Sequence, residues 1–256
     1  MKIWRYMDLS KFISLLSNRA LYFTNASKFN DPYEFFIPEI YTKEIKNKRI
    51  EFITKCFENT KKFIEENKII NPNGYNDAIN LMYKRLEIDI ENINNNTTEK
   101  EVRKKFGVSC WHINEYENEA LWKIYTNQGQ GIAIETSVEK LEQSLQFHRK
   151  ITFDKVRYED FNTTIFEKNH KNYLGYIKRK AFEYENEFRA VVLLDENYFE
   201  KGCYIKVDLD ILIEKIHISP AMPKYFLESI KYLCQGELSF LQDRIAQSSL
   251  YSKYTN

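Results

Sequence analysis

Between about residues 43 and 106 the apolar side chains recur at helical spacing, whereas on either side they fall into short strand-like runs. Phe52, Ile53, Phe57, Phe63 and Ile64 give one helical face, and Ile79, Met82, Tyr83, Leu86, Ile90 and Ile93 give a second, because residues three and four apart share a side of a helix. Asn71-Pro72-Asn73-Gly74 separates the two, and Asn94-Asn95-Asn96-Thr97-Thr98 ends the second before a short charged helix. Helices grouped between sheet-forming parts fit an α+β chain better than a regular βαβ alternation. The expected architecture is a single domain over residues 1–256, with a central mixed or antiparallel sheet and a helical insertion at about 43–106. Its connections are short turns, and no linker-like segment stands out.

Before the insertion, Lys2–Tyr6 reads as a strand, Asp8 caps a helix whose apolar positions Leu9, Phe12, Ile13 and Leu16 fall on one face, and Ala20–Thr24 reads as a second strand. After it, strands are expected at Gly107–Ile113, Gly131–Glu135, Ile151–Tyr158, Glu185–Leu194, Cys203–Val207 and Lys215–Ser219. Helices are expected at Glu117–Thr126, from Ser137 to about Phe147, from Asp160 to about Ala181, and from Pro223 to about Leu233.

Charge and composition narrow the function. The 38 basic and 37 acidic residues nearly cancel, leaving +1, so there is no electrostatic footprint for non-specific nucleic-acid binding. Arg103-Lys104-Lys105 and Lys178-Arg179-Lys180 read as solvated helix faces, with a local groove for nucleic acid as the alternative. No apolar run approaches the roughly 18 residues of a membrane span, and Met1–Tyr6 lacks the apolar stretch of a signal peptide. The four cysteines are scattered without a CxxC pair, which reads as reduced thiols in a cytoplasmic protein. The four histidines form no HxxxH or HExxH spacing, so no metal site is expected. A GxGxxG or GxxxxGK phosphate loop is missing as well.

The richest stretch is Tyr184-Glu185-Asn186-Glu187-Phe188-Arg189, running into an apolar strand. On a strand Glu185, Glu187 and Arg189 share one face. Two close carboxylates repel unless a cation intervenes, and Arg189 supplies one. The functional reading is a carboxylate fixed at a strand start, suited to a developing positive charge; the structural one is a salt bridge at the sheet rim. Leu21–Glu34 packs aromatic and polar residues densely: Asn30-Asp31-Pro32 reads as a turn, and the whole as the wall of a pocket for a flat ring. In Ser109-Cys110-Trp111-His112, Cys110 and His112 lie on one strand face, too close in register for a nucleophile and its base. Trp111 and Trp122 read as core or as a ligand platform.

Taken in order, Trp4-Arg5-Tyr6, Leu21–Glu34, Ser109–Ile134 and Tyr184–Arg189 resemble a bacterial family of domains of unknown function, number twenty-nine seventy-one. Its marks are LYF–FNDPFE, SCW–EALW–GIAI and YExEFR, and the resemblance covers nearly the whole chain. The layout is also similar, more weakly, to the ADP-ribosyltransferase fold. That likeness implies an NAD-consuming enzyme, such as a bacterial toxin or phage-defence effector, with NAD as substrate and no metal. Arg5 would hold the ribose or phosphates, Tyr22 would line the nicotinamide site and Glu187 would be catalytic. Tyr6, Asn30, Asp31, Ser109, Trp111, Glu185 and Arg189 would bind the cofactor, Glu185 also positioning an acceptor. Implied partners are a protein or nucleic-acid acceptor and an antitoxin or partner subunit, with no membrane. The first strand here carries Arg5 and Tyr6 with no histidine, and the glycines beside that motif are missing. A non-catalytic module that senses a nucleotide or a partner is the alternative.

Overall fold

The computed structural model describes residues 1–35, 39–67, 72–96, 99–127, 129–145, 151–161, 175–199 and 201–251. The chain opens with β1 (Lys2–Met7), α1 (Leu9–Asn18) and β2 (Ala20–Asn25). Helices α2 (Glu39–Asn67), α3 (Pro72–Asn96) and α4 (Glu99–Arg103) follow. Next come β3 (Phe106–Ile113), α5 (Glu119–Tyr125), β4 (Ile132–Ser137), α6 (Val138–Ser144), β5 (Ile151–Lys155) and β6 (Arg157–Glu159). The described remainder holds β7 (Ile177–Arg179), β8 (Glu187–Leu193), β9 (Cys203–Lys206), α7 (Leu209–Leu212), β10 (Lys215–Ile218), α8 (Lys224–Leu233) and β11 (Ile245–Gln247).

Two units divide these elements. Met1–Phe35, Lys105–Thr164 and Gly175–Asn256 form one, and Phe36–Lys104 with Ile165–Leu174 the other. In the second, α2 and α3 run antiparallel, since Phe57 meets Tyr83 at 4.7 Å between ring centroids and Glu65 accepts from the Tyr75 hydroxyl nearer the turn. Pro72 opens α3 at the position where a missing N–H costs nothing.

The first unit is built on a mixed sheet in the order β11-β10-β4-β1-β3-β2-β9, with β8 on the other edge of β3 and β5 beyond it. Its described pairs are antiparallel except β10 with β11. Ile3, Phe12, Leu21, Phe23, Trp111 and Ile134 belong to its main core, which α1, α6 and α8 help to cover. The opposite side of β1 carries Trp4 and Tyr6 against Leu121 and Trp122 of α5. Among the described residues no helix is long and apolar enough to cross a membrane.

One detail of this sheet creates the site. Strand β3 pairs along its length with β8, but its other edge is shared: Ile113 and His112 face β1, while Val108 and Gly107 face β2. The sheet therefore forks, with Ser109–Trp111 between the two pairings.

Asp8 caps α1 by accepting from the Lys11 N–H at 2.8 Å. Burial disfavours its charge, but bonds from Ser10 and Lys11 prevail and bring its pKa down to about 2. Asp8→Ala should cost about 1 kcal/mol of stability, read as a lower urea midpoint at unchanged slope; no shift would mean that the cap is idle.

Several local expectations are corrected. The strand expected over Ile151–Tyr158 breaks at Val156, and β6 pairs instead with β7 in a separate two-stranded parallel sheet. The helix expected to about Ala181 is a strand at Ile177–Arg179 and a 3-10 turn at Lys180–Glu185, while residues 162–174 lie outside the described ones. Lys178 is accordingly buried among glutamates and Arg179 is paired with Asp31, so neither forms a solvated helix face.

Candidate functional site

Strand β8 starts at Glu187, not Glu185. Glu185 ends the preceding 3-10 turn, and Asn186 takes a left-handed conformation, φ 43°, held by its amide nitrogen donating to the Ile113 carbonyl at 2.6 Å. That reversal brings Glu185 to the same side as Glu187 and Arg189 although it does not share their strand.

These side chains belong to a buried charge cluster. Arg189, with no exposed surface, donates through Nε to Glu187 Oε2 at 2.8 Å, through Nη1 to the Gly175 carbonyl at 2.8 Å, and through Nη2 to Glu187 Oε1 at 3.0 Å and to Glu34. Gly175 must be glycine here, because its φ is 101° and a Cβ would meet the Phe35 ring at 2.6 Å. Lys178 Nζ lies 2.8 Å from Glu187, 2.9 Å from Glu185 and 3.6 Å from Glu34. The Tyr125 hydroxyl donates to Glu185 at 2.6 Å. The expected rim salt bridge is thus a core feature, in a strand with neighbours on both edges.

The electrostatics separate the two carboxylates. Burial alone would push Glu187 up, but Arg189 and Lys178 outweigh it and hold the carboxyl well below its usual range. Glu185 is raised, first by burial and then by Glu187 beside it, against the opposing pull of Tyr125 and Lys178. Three carboxyl groups share two cations, and Glu185, the one whose pKa is raised, holds its charge least firmly.

A cavity of about 530 Å³ opens on this cluster and reaches to the fork. At the fork Arg5 donates to Ser109 Oγ at 2.6 Å and to the Tyr22 carbonyl at 3.4 Å, so its charge meets neutral oxygens. Burial lowers its pKa to about 10, which leaves it cationic at neutral pH. Tyr22 lies 5.0 Å from Tyr204, ring to ring, and its hydroxyl donates to the Lys201 carbonyl.

Of the residues singled out in the sequence, Arg5, Tyr6, Tyr22, Glu185, Glu187 and Arg189 line this one cavity. The other four do not. Ser109 sits behind Arg5, bonding it and accepting from Trp111 Nε1 at 3.1 Å. Trp111 is fully buried in the main core, on the strand face opposite Cys110 and His112, and is not a ligand platform. Asn30 is exposed in the turn, and Asp31 is tied to Arg179 at 2.9 Å. Glu34, Lys178, His112 and Tyr125, none of them among the site residues expected from the sequence, also line the cavity. Glu34 had a signal, standing in the same dense motif as Asp31; Lys178 had none. Cys110 also faces the cavity, but burial and Glu187 push its thiol up, away from a nucleophilic thiolate. Among the described residues no group of three or more His, Cys, Asp or Glu side chains could hold a metal ion.

Residues 121–190 match the family model described as Protein of unknown function (DUF2971). It is the family that the sequence motifs point to. The match to DUF2971 takes in the GIAI strand and the whole Tyr184–Arg189 motif, whereas the N-terminal motif and Ser109-Cys110-Trp111 lie outside it. No curated protein and no solved structure matches the chain significantly.

Proposed function

We propose that the cavity binds NAD and that the chain is an ADP-ribosyltransferase-like enzyme, which breaks the nicotinamide–ribose bond. One observation carries the reading: at one end of the cavity three glutamates share only two cations, and at the other Arg5 meets neutral oxygens and no carboxylate. NAD has the complementary pattern, a cationic nicotinamide ring joined through ribose to an anionic diphosphate. Bond cleavage passes through an oxocarbenium-like state, and a fixed carboxylate stabilises that cation. Glu187 stays anionic for this role. Glu185, with its raised pKa, is protonated more readily and bonds an acceptor; environments that push two carboxyls apart are how such roles divide. Arg5 meets the diphosphate, and the Tyr22 ring flanks the nicotinamide.

In a bacterial cytoplasm such a chain acts as a toxin or phage-defence effector on a protein or nucleic-acid acceptor, restrained by an antitoxin or partner subunit. The direct test is incubation with doubly labelled NAD and cell lysate, followed by nicotinamide release and transfer of the ADP-ribosyl label. A toxin arrests growth when expressed; a tolerated chain that releases no nicotinamide ends this reading. The full engagement of Glu187 by Arg189 and Lys178 favours a second reading, a module that binds the nucleotide without turning it over.

The charge argument makes its own prediction. NADH, with its neutral ring, should bind at least about tenfold more weakly than NAD, the equivalent of roughly 1.4 kcal/mol. NAD affinity should also rise with pH through the raised Glu185 pKa, because a proton there competes with the cationic ring. Calorimetry that finds equal affinities at all pH values would remove the basis of the proposal.

A further inference from the structure

His112 is buried on β3, opposite Glu187 in register, and it lines the cavity. Its Nδ1 lies 2.8 Å from the Glu185 carbonyl. A carbonyl only accepts, so Nδ1 carries the proton and the far ring nitrogen, Nε2, carries a lone pair. The carboxylates around it are already engaged: Glu34 by Arg189 and Lys178, Glu185 by Tyr125 and Lys178, Glu187 by Arg189 and Lys178. No donor among the described residues bonds His112 Nε2. The site thus holds a lone pair, on a residue that lines the cavity, to which no described residue donates.

We infer that His112 is the base of this site and that the group it serves is a hydroxyl. The inference rests on the NAD reading above. In the step, the C1′–N bond breaks and its electron pair leaves with nicotinamide. The hydroxyl oxygen bonds C1′, and its proton passes to Nε2 of His112. A carboxylate acceptor would need no base and would be repelled by the glutamate cluster, whereas a neutral hydroxyl must lose a proton, and water is its smallest form. The surroundings keep the ring ready to accept. Burial lowers the His112 pKa and Lys178 and Arg189 lower it further, against the pull of the Glu185 carbonyl and Glu187. Tyr125 at 4.7 Å and Tyr6 at 6.1 Å, ring to ring, are the other titratable groups packed on it, and burial raises both phenols, so they stay neutral.

His112→Asn separates the two ring nitrogens, because the amide nitrogen of asparagine retains the bond to the Glu185 carbonyl while nothing stands in place of Nε2. With nicotinamide-labelled NAD and water as acceptor, the variant should lose about 100-fold or more in the release rate, with NAD affinity within about twofold and methanol failing to compete as a second acceptor. Release within threefold of wild type, on the same pH profile, would overturn the role of His112 while leaving the NAD reading intact. A wild-type chain that releases no nicotinamide sinks that reading and this inference together. If the variant does not fold, nitrogen-15 NMR of the wild-type imidazole decides: an Nδ1–H tautomer whose Nε2 resonance moves on adding NAD supports the role, and an Nε2–H tautomer ends it.

Discussion

Arg189→Ala should lower the unfolding free energy by about 3–5 kcal/mol, the range for removing one partner of a buried ion pair. The guanidinium has no exposed surface, and its departure leaves Glu34 and Glu187 buried with only Lys178 to share. The Gly175 carbonyl loses its donor as well. An ion pair at a sheet rim would cost about 1 kcal/mol or less, so the magnitude itself separates the two readings of the motif. Urea titration by circular dichroism reads it directly, and Arg189→Met, which keeps most of the volume, checks that the loss comes from charge and not from a void. A loss under about 1 kcal/mol would mean that the cluster relaxes or hydrates when its cation goes.

Glu187→Gln should slow nicotinamide release by about 100-fold or more, because glutamine keeps the size of the side chain but removes the charge that the cationic state needs. Read from sequence alone, this substitution leaves the fold nearly intact. The geometry says otherwise: Glu187 neutralises Arg189 and Lys178, and a neutral amide also turns an N–H₂ toward them. A stability loss of about 3 kcal/mol is therefore expected beside the rate loss, and the assay must be run well below the variant's melting temperature. Full activity with a lowered melting temperature would make the motif purely structural, and the binding-module reading would take its place.

Local signals were legible in the sequence. Asp8 announces α1 because a cap acts over three residues, and the apolar run after Glu187 announces β8. Strand β7 carries no such signal. Its three residues extend because they meet Arg157–Glu159, a contact that spacing within 177–179 cannot reveal. The same holds at the site. Period-two alternation puts Trp111 on the other face from Cys110 and His112, but only the sheet shows which face meets the cavity. Alternation places Glu185 on the strand with Glu187, but left-handed Asn186 breaks that alternation between the two glutamates.

The ion pair between Glu34 and Arg189 spans 155 positions of sequence. On a ribosome making about 5–20 residues per second, Arg189 is added roughly 8–30 s after Glu34. Until then Glu34, Arg5 and Tyr22 emerge on a nascent chain that lacks Lys178, Glu185 and Glu187. Whatever the cavity does, it does only once synthesis has passed β8, and before that point its charged cluster is incomplete.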